Sequence, residues 1–259
     1  MPHEHGPFDI IGDIHGCCSE LEELLRRLSY EFDAMAMTGS VWGPGLWKHP
    51  AGRTAIFLGD LADRGPQILD ALRLVANMTA SGNALCVPGN HDEKLRRKLL
   101  GHDVKIAHGL EDSLAEVAQA PGLRPHLIAF IGSLASHFVL DEGNLVVAHA
   151  GLKEEMHGLE SRAVRSFALY GDPTGKMDAS GFPVRRDWAA TYSGKAAVVY
   201  GHTPVSRLKW VNNTVNIDTG CVFGGSLSAL RYPEREFVSV KAHSAYVRHP
   251  NFSQGMYGK

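Results

Sequence analysis

Residues 8–16 read FDIIGDIHG: a short β-branched run closes at Gly12, and Asp13 and His15 follow at once. Apolar side chains at consecutive positions suit a strand covered on both faces. The pattern recurs in TAIFLGD (54–60), ALCVPGN (84–90), LVVAH (145–149) and AAVVYGH (196–202), each strand-length and each closed by a polar residue near glycine. The first three runs lead into helical spacing. Ser19 and Glu22 have the spacing of a capping box, and Leu21, Leu24, Leu25 and Leu28 follow on one face. Pro66 suits the first turn of a second helix carrying Ile68, Ala71, Leu72, Val75 and Ala76. A third helix is expected from about His91, with a basic stretch of Lys94, Arg96, Arg97 and Lys98. Strand, loop and helix in repetition predict parallel β units and an α/β fold.

Beyond these units, residues 103–138 predict two helices punctuated at Pro121 and Gly122. TVNID (214–218), SLSALRY (226–232) and EFVSV (236–240) predict a strand meander. Residues 30–53 are expected as a long loop or irregular hairpin, and GDPTGKMDASGFP (171–183) as a surface loop. We expect one domain over residues 1–242 and a polar, loosely held tail over 243–259.

Composition narrows the class. With 259 residues, 44% apolar and 21% charged, the chain is long enough for a sizeable core. A formal charge of -2 gives no overall basic balance for nucleic acid. No apolar run reaches membrane-span length, and the start MPHEHGPFDII lacks the layout of a secretory signal. Cys17, Cys18, Cys86 and Cys221 show no C-x-x-C spacing, so reduced thiols and a cytoplasmic protein are expected.

The strand ends carry the chemistry. They deliver Asp13 and His15, Asp60, Asn90 and His91, His149, and His202. Any one alone is ordinary, because an Asp after a strand is usually a helix cap and a lone His usually a satisfied core residue. Together, at the carboxyl ends where loops of an α/β sheet converge, they match a metal cluster. Oxygen and nitrogen donors without thiolate suit two divalent ions, Mn²⁺ first, with Fe or Zn²⁺ as alternatives. A carboxylate can bridge two such ions, an arrangement found in hydrolases that run in-line displacement.

The blocks GDIHG (12–16), GDLADRG (59–65), GNHD (89–92), HAG (149–151) and GHT (201–203), in this order, resemble the calcineurin-like metallophosphoesterases, in their phosphoprotein-phosphatase-like branch. The resemblance implies a four-layer α/β/β/α sandwich with two mixed sheets flanked by helices. It implies one ion held by Asp13, His15 and Asp60, and a second held by Asp60 as bridge with Asn90, His149 and His202. His91 would protonate the leaving oxygen, oriented by Asp63. Arg64 can clamp phosphoryl oxygens with its planar fork.

Within that family, residues 5–240 resemble the phosphatase module of bacterial polynucleotide kinase-phosphatases, through SGNALCVPGNHDEKL (81–95), LVVAHAGLKEE (145–155), FALYGDPTG (167–175) and VNNTVNIDTGCVFGG (211–225). This implies hydrolysis of 2′,3′-cyclic phosphates and of 2′- and 3′-phosphate ends of RNA or nucleotides, in RNA end repair. No P-loop is present, since GDPTGKM (171–177) has the wrong spacing; a kinase or ligase would then be a separate protein. The basic stretch after His91 would contact an RNA backbone or form a solvated helix face. Dinucleoside polyphosphate hydrolases of the diadenosine tetraphosphatase type share the metal blocks and the stretch at 218–225, and stand as the alternative. Protein serine/threonine phosphatases rank lower, and a phosphate-binding protein with a dead site would require a lost ligand. By the resemblance Asp218 belongs to the active site, where it would orient His202 or His15. Gly220, Gly224 and Gly225 are expected to give positive φ and close approach to a phosphate; a plain hairpin turn with a capping Asp is the other reading.

Overall fold

In the computed structural model, which describes residues 3–178 and 183–248, each apolar run becomes a strand whose alternate side chains enter different cores. The chain begins with β1 (Phe8–Ile11), α1 (Cys18–Arg27), a small hairpin of β2 (Glu31–Asp33) and β3 (Leu46–Lys48), then β4 (Thr54–Phe57) and α2 (Ile68–Ala80). There follow β5 (Ala84–Cys86), three helices α3 (Asn90–Leu99), α4 (Leu110–Gln119) and α5 (Arg124–Ser133), and the strands β6 (His137–Leu140) and β7 (Leu145–Ala148). Next come α6 (Arg162–Tyr170) and the short strands β8 (Pro173–Met177) and β9 (Pro183–Arg185). The chain closes with β10 (Ala197–Tyr200), β11 (Trp210–Val211), β12 (Thr214–Asn216), β13 (Ser226–Tyr232) and β14 (Glu236–Lys241).

Two five-stranded mixed sheets result, in the orders β14-β13-β1-β4-β5 and β11-β12-β10-β7-β6. In the first, β1, β4 and β5 run parallel; in the second, β7, β10 and β12 do. The period-two geometry of a strand sorts their side chains. Phe8, Ile10, Ile56 and Leu58 from the first sheet pack against Leu145, Val147, Val199 and Val215 from the second. Ile11, Ala55 and Phe57 turn the other way onto α1 and α2, while Val146, Ala148 and Val198 face α6 and Trp188. This is the expected layering of helices, sheet, sheet and helices. The polar residue inside β1, Asp9, is fully buried because the Nε of Arg53 donates to both its oxygens at 3.0 Å.

Four local expectations change. Ser19 does not cap α1; its hydroxyl donates to Gln67 at 2.7 Å, a tertiary contact that the local spacing could not reveal. Pro66 lies ahead of α2, whose first N–H groups at Ile68 and Leu69 donate instead to the carboxylate of Glu116. The meander splits: β12 joins the second sheet, whereas β13 and β14 form a hairpin in the first. Residues beyond His243 are held as far as Val247, with the N–H of His243 and the hydroxyl of Tyr246 donating to buried Glu20. Residues 249–259, like 179–182 in the expected surface loop, lie outside the described residues, and the flanks of that loop pair as β8 and β9. Residues 30–53 contain the β2–β3 hairpin. All four cysteines are buried and free of disulfides. Among the described residues no helix is long and apolar enough to cross a membrane.

Candidate active site

The carboxyl ends of β1, β4 and β5 in one sheet meet those of β7, β10 and β12 in the other. Asp13, His15, Asp60, Asn90, His91, His149, His202 and Asp218 all follow these strands. Five of them or their neighbours hold the backbone at positive φ: His15 (45°), Asp60 (47°), Asp63 (71°), Arg64 (76°) and His202 (75°). Such conformations are costly for residues with a side chain and cluster where a structure holds chemistry in place.

Close approach is decided at Gly201. A Cβ there would lie 1.9 Å from Oδ1 of Asp13, so the missing side chain is the space the carboxylate occupies. His202 N–H then donates to Asp13 at 3.0 and 3.2 Å. Gly201→Ala is therefore expected to displace Asp13 and lower kcat/KM by roughly 10–100-fold, the range for disturbing a ligand's support. Steady-state kinetics with bound-metal analysis and a thermal melt will separate this loss from unfolding.

At this edge two groups of potential ligand atoms form, each with its atoms within 4.8 Å of one another: His15, Asp60 and His91, and Asp60, His149 and His202. Asp60 is common to both, its oxygens 3.4 Å from Nε2 of His15 and 3.5 Å from Nε2 of His149. Backbone carbonyls fix the imidazoles: Nδ1–H of His15 donates to Ala62 at 2.8 Å and that of His149 to Leu58 at 2.9 Å. Each therefore presents the lone pair of Nε2 inward. Around Nε2 of His149 stand Oδ1 of Asn90 at 3.1 Å and Nδ1 of His202 at 3.0 Å, and Nε2 of His202 is buried without a partner. Asp13 adjoins this second group, 3.9 Å from Nδ1 of His149. A convergence of oxygen and nitrogen acceptors fits divalent cations of the Mn²⁺, Fe or Zn²⁺ kind.

Electrostatics point the same way. Burial raises Asp13 well above the usual carboxylate range, and Asp218 and Asp60 add repulsion. Burial pushes Asp60 and Asp218 each up to about 7. It also lowers His15, His149 and His202, His149 to about 4, with Arg64 adding to the effect on His15. A cation in the midst of these groups would favour ionised carboxylates and neutral imidazoles at once.

His91 stands with His15 and Asp60, its ring edge-on to His15 at 4.9 Å. Its Nδ1–H donates to buried Asp63 at 2.6 Å, which fixes the ring and leaves Nε2 facing the site. Asp63 is no surface ion pair. Ser113 on α4 donates to its Oδ1, and burial raises it to about 6. Arg64 donates to Nε2 of His15 at 2.8 Å and to Nε2 of His91 at 2.9 Å, its guanidinium 5.4 Å above the ring of Phe223.

Asp218 lies in the same cluster, where its charge and those of Asp13 and Asp60 oppose one another. Its carboxylate accepts the N–H of Gly220 at 3.0 Å, and among the described residues no hydrogen bond joins it to His15 or His202. Carbonyl oxygens orient His15 and His149 instead. Gly220 and Gly224 do take positive φ, but Gly225 does not; its Cβ would meet the carbonyl of Thr219 at 1.9 Å. Two functional residues were missed. Asp92 accepts N–H groups of Leu61, Ala62 and Gly89, tying the start of α3 to the Asp60 loop. Its place three residues after Gly89 was the available signal. Ser113 had none.

The family model described as calcineurin-like phosphoesterase matches residues 6–206. The asymmetrical bis(5′-nucleosyl)-tetraphosphatase PrpE of Anoxybacillus flavithermus is 47% identical over 245 residues, covering 93% of this chain and 96% of that protein. Its counterpart in Bacillus cereus is 45% identical over 246 residues, covering 93% and 96%. The crystal structure of a candidate diadenosine tetraphosphatase superposes with a TM-score of 0.63 at 25% identity, covering 93% of this chain and 96% of that one. A serine/threonine phosphatase of Saccharomyces cerevisiae shares the fold, with a TM-score of 0.60 at 15% identity, covering 97% and 83%.

Proposed function

The chain belongs to the calcineurin-like phosphoesterases, and from that premise we propose that it is a metal-dependent hydrolase cutting dinucleoside tetraphosphates off-centre, into a nucleoside monophosphate and a nucleoside triphosphate. The observation that carries the substrate is likeness over nearly the whole chain to asymmetrical tetraphosphatases, with every residue of the metal blocks present. Reduced cysteines and a nucleotide substrate suit a cytoplasmic enzyme.

The RNA end-repair reading gives way to this alternative. The stretch at 218–225 is shared by both groups of enzymes and could not separate them. The basic stretch also offers less to a phosphate backbone than its sequence suggests. Lys94 donates to the carbonyl of Ala107, Lys98 to that of Val104, and Arg96 pairs with Glu93, leaving Arg97 exposed.

Asp13, His15, Asp60, Asn90, His149 and His202 would hold two divalent ions, for which we infer manganese. When bound, the ions supply positive charge at the phosphoryl group and a nucleophile from water near neutral pH. Arg64 moves its fork from the two imidazoles to the phosphoryl oxygens and offsets the charge that builds there. His91, fixed by Asp63, then holds a proton at Nε2 for the departing oxygen.

One panel tests the proposal: diadenosine tetraphosphate, a 2′,3′-cyclic mononucleotide, an RNA 3′-phosphate and a phosphopeptide, each with Mn²⁺. Equal amounts of AMP and ATP from the tetraphosphate are expected. Release of ADP alone, or cleavage confined to the RNA substrates, would overturn it.

A further inference from the structure

We infer that the cavity beside His202 is a subsite for the three phosphates that leave together when a dinucleoside tetraphosphate is cut off-centre, with Arg185 as its anion clamp; this rests on the activity proposed above. The cavity holds about 420 Å³, and its lining includes His202, four basic residues, Arg185, Arg186, Arg207 and Lys209, and two acids, Asp172 and Asp187. His202 thus belongs both to the cavity and to the group it forms with Asp60 and His149. A phosphoryl group seated at that cluster has its continuing chain beside a basic wall.

Arg185, at the end of β9, is the informative residue. Its Nε donates to the carbonyl of Tyr170 at 2.9 Å and Nη1 makes a long contact to that of Pro183 at 3.4 Å, which aims the fork and, among the described residues, leaves Nη2 without a hydrogen-bond partner. Among the described residues no carboxylate pairs with it. Burial lowers its affinity for a proton, and its charge acts on both His149 and His202. An anion in the cavity would relieve that uncompensated charge. Arg186, by contrast, is already engaged by Asp172 at 2.8 Å, an acid that Lys153 also reaches at 3.0 Å. The acid of Asp187 turns to the N–H of Ala190. Arg207 and Lys209 are exposed, and no carboxylate pairs with either among the described residues.

A guanidinium fork matches phosphate oxygens two at a time, and surrounding cations add field. A simple phosphomonoester would engage the metal cluster and Arg64 but have nothing to place in this cavity. A tetraphosphate would. Its cut then falls between the phosphoryl group at the cluster and the three phosphates in the cavity, which is the off-centre bond.

The test compares diadenosine tetraphosphate with p-nitrophenyl phosphate in Arg185→Ala and, because Arg185 also supports Tyr170, in the exposed double variant Arg207→Ala/Lys209→Ala. For Arg185→Ala, kcat/KM on the tetraphosphate is expected to fall roughly 10–100-fold, the scale of a lost charge-assisted contact. The loss on p-nitrophenyl phosphate should be at least tenfold smaller, on the same reasoning, and inhibition by ATP should weaken more than inhibition by AMP. The double variant should shift in the same direction by less. Equal losses on both substrates, or unchanged ATP inhibition in both variants, overturn the subsite while leaving the hydrolase reading intact. Wild-type protein that leaves the tetraphosphate uncut overturns both.

Discussion

Asp60→Asn is expected to remove both metal ions and lower turnover by roughly 10³-fold or more, whereas His15→Ala or His202→Ala is expected to remove one. The difference follows from position: Asp60 alone lies in both ligand groups, with one oxygen toward His15 and the other toward His149. An amide keeps the size but gives up the negative charge that would hold two cations close together. Cationic stabilisation of the transition state amounts to several kcal/mol, and at about 1.4 kcal/mol per tenfold this is a factor of roughly 10³. Metal content by mass spectrometry, measured with kcat, decides it. An Asp60→Asn protein that retains one ion would show that the two groups do not share this carboxylate.

His91→Ala is expected to slow an alkyl phosphate monoester by roughly 10²–10⁴-fold, and a dinucleoside tetraphosphate far less. An alkoxide needs a proton to leave. A phosphate, with a second pKa of about 6, leaves readily without one. In its proposed role His91 would protonate an alkoxide, since Asp63 receives its Nδ1–H at 2.6 Å and Nε2 faces the site. Burial, then Arg64, lowers the proton affinity of His91, so Arg64 leaving for the phosphoryl group would favour protonation at Nε2. Kinetics on glycerol phosphate, p-nitrophenyl phosphate and diadenosine tetraphosphate, with metal content as control, resolve the role. Equal losses on all three would make His91 a positioning residue for Arg64.

The layered fold and the convergence of Asp13, His15, Asp60, Asn90, His149 and His202 were legible because each follows a strand run in the sequence, and strand direction carries them to one edge. What was illegible depended on partners distant in sequence. Ser19 looked like a cap until Gln67, 48 residues away, took its hydroxyl. The run at 214–218 gave no sign of which sheet it would join, since an apolar strand suits either. Asp218 lies among the acids of the cluster, beside Asp13 and Asp60, but its spacing could not show that its carboxylate would accept the N–H of Gly220 two residues on. Ser113 sits in an ordinary amphipathic helix, and only packing brings it to Asp63. Substrate choice was hidden for another reason: metal blocks encode chemistry at phosphorus, whereas the groups that would read the rest of the substrate lie on β9 and the loop after β10, outside any motif.

The return of β13 to the first sheet has a consequence for how the chain acquires its structure. Phe8 pairs with Tyr232 and Ile11 with Ala229, so β1 keeps one edge unpaired until β13 has been made. Pairings at such sequence separation are slow to form, and an unpaired strand edge is open to foreign pairing in the meantime. β1 leaves the ribosome long before the strand that secures its second edge. A chain cut short before residue 226 would therefore lose more than its missing end, because it would leave the strand bearing Asp13 and His15 as an open template for aggregation.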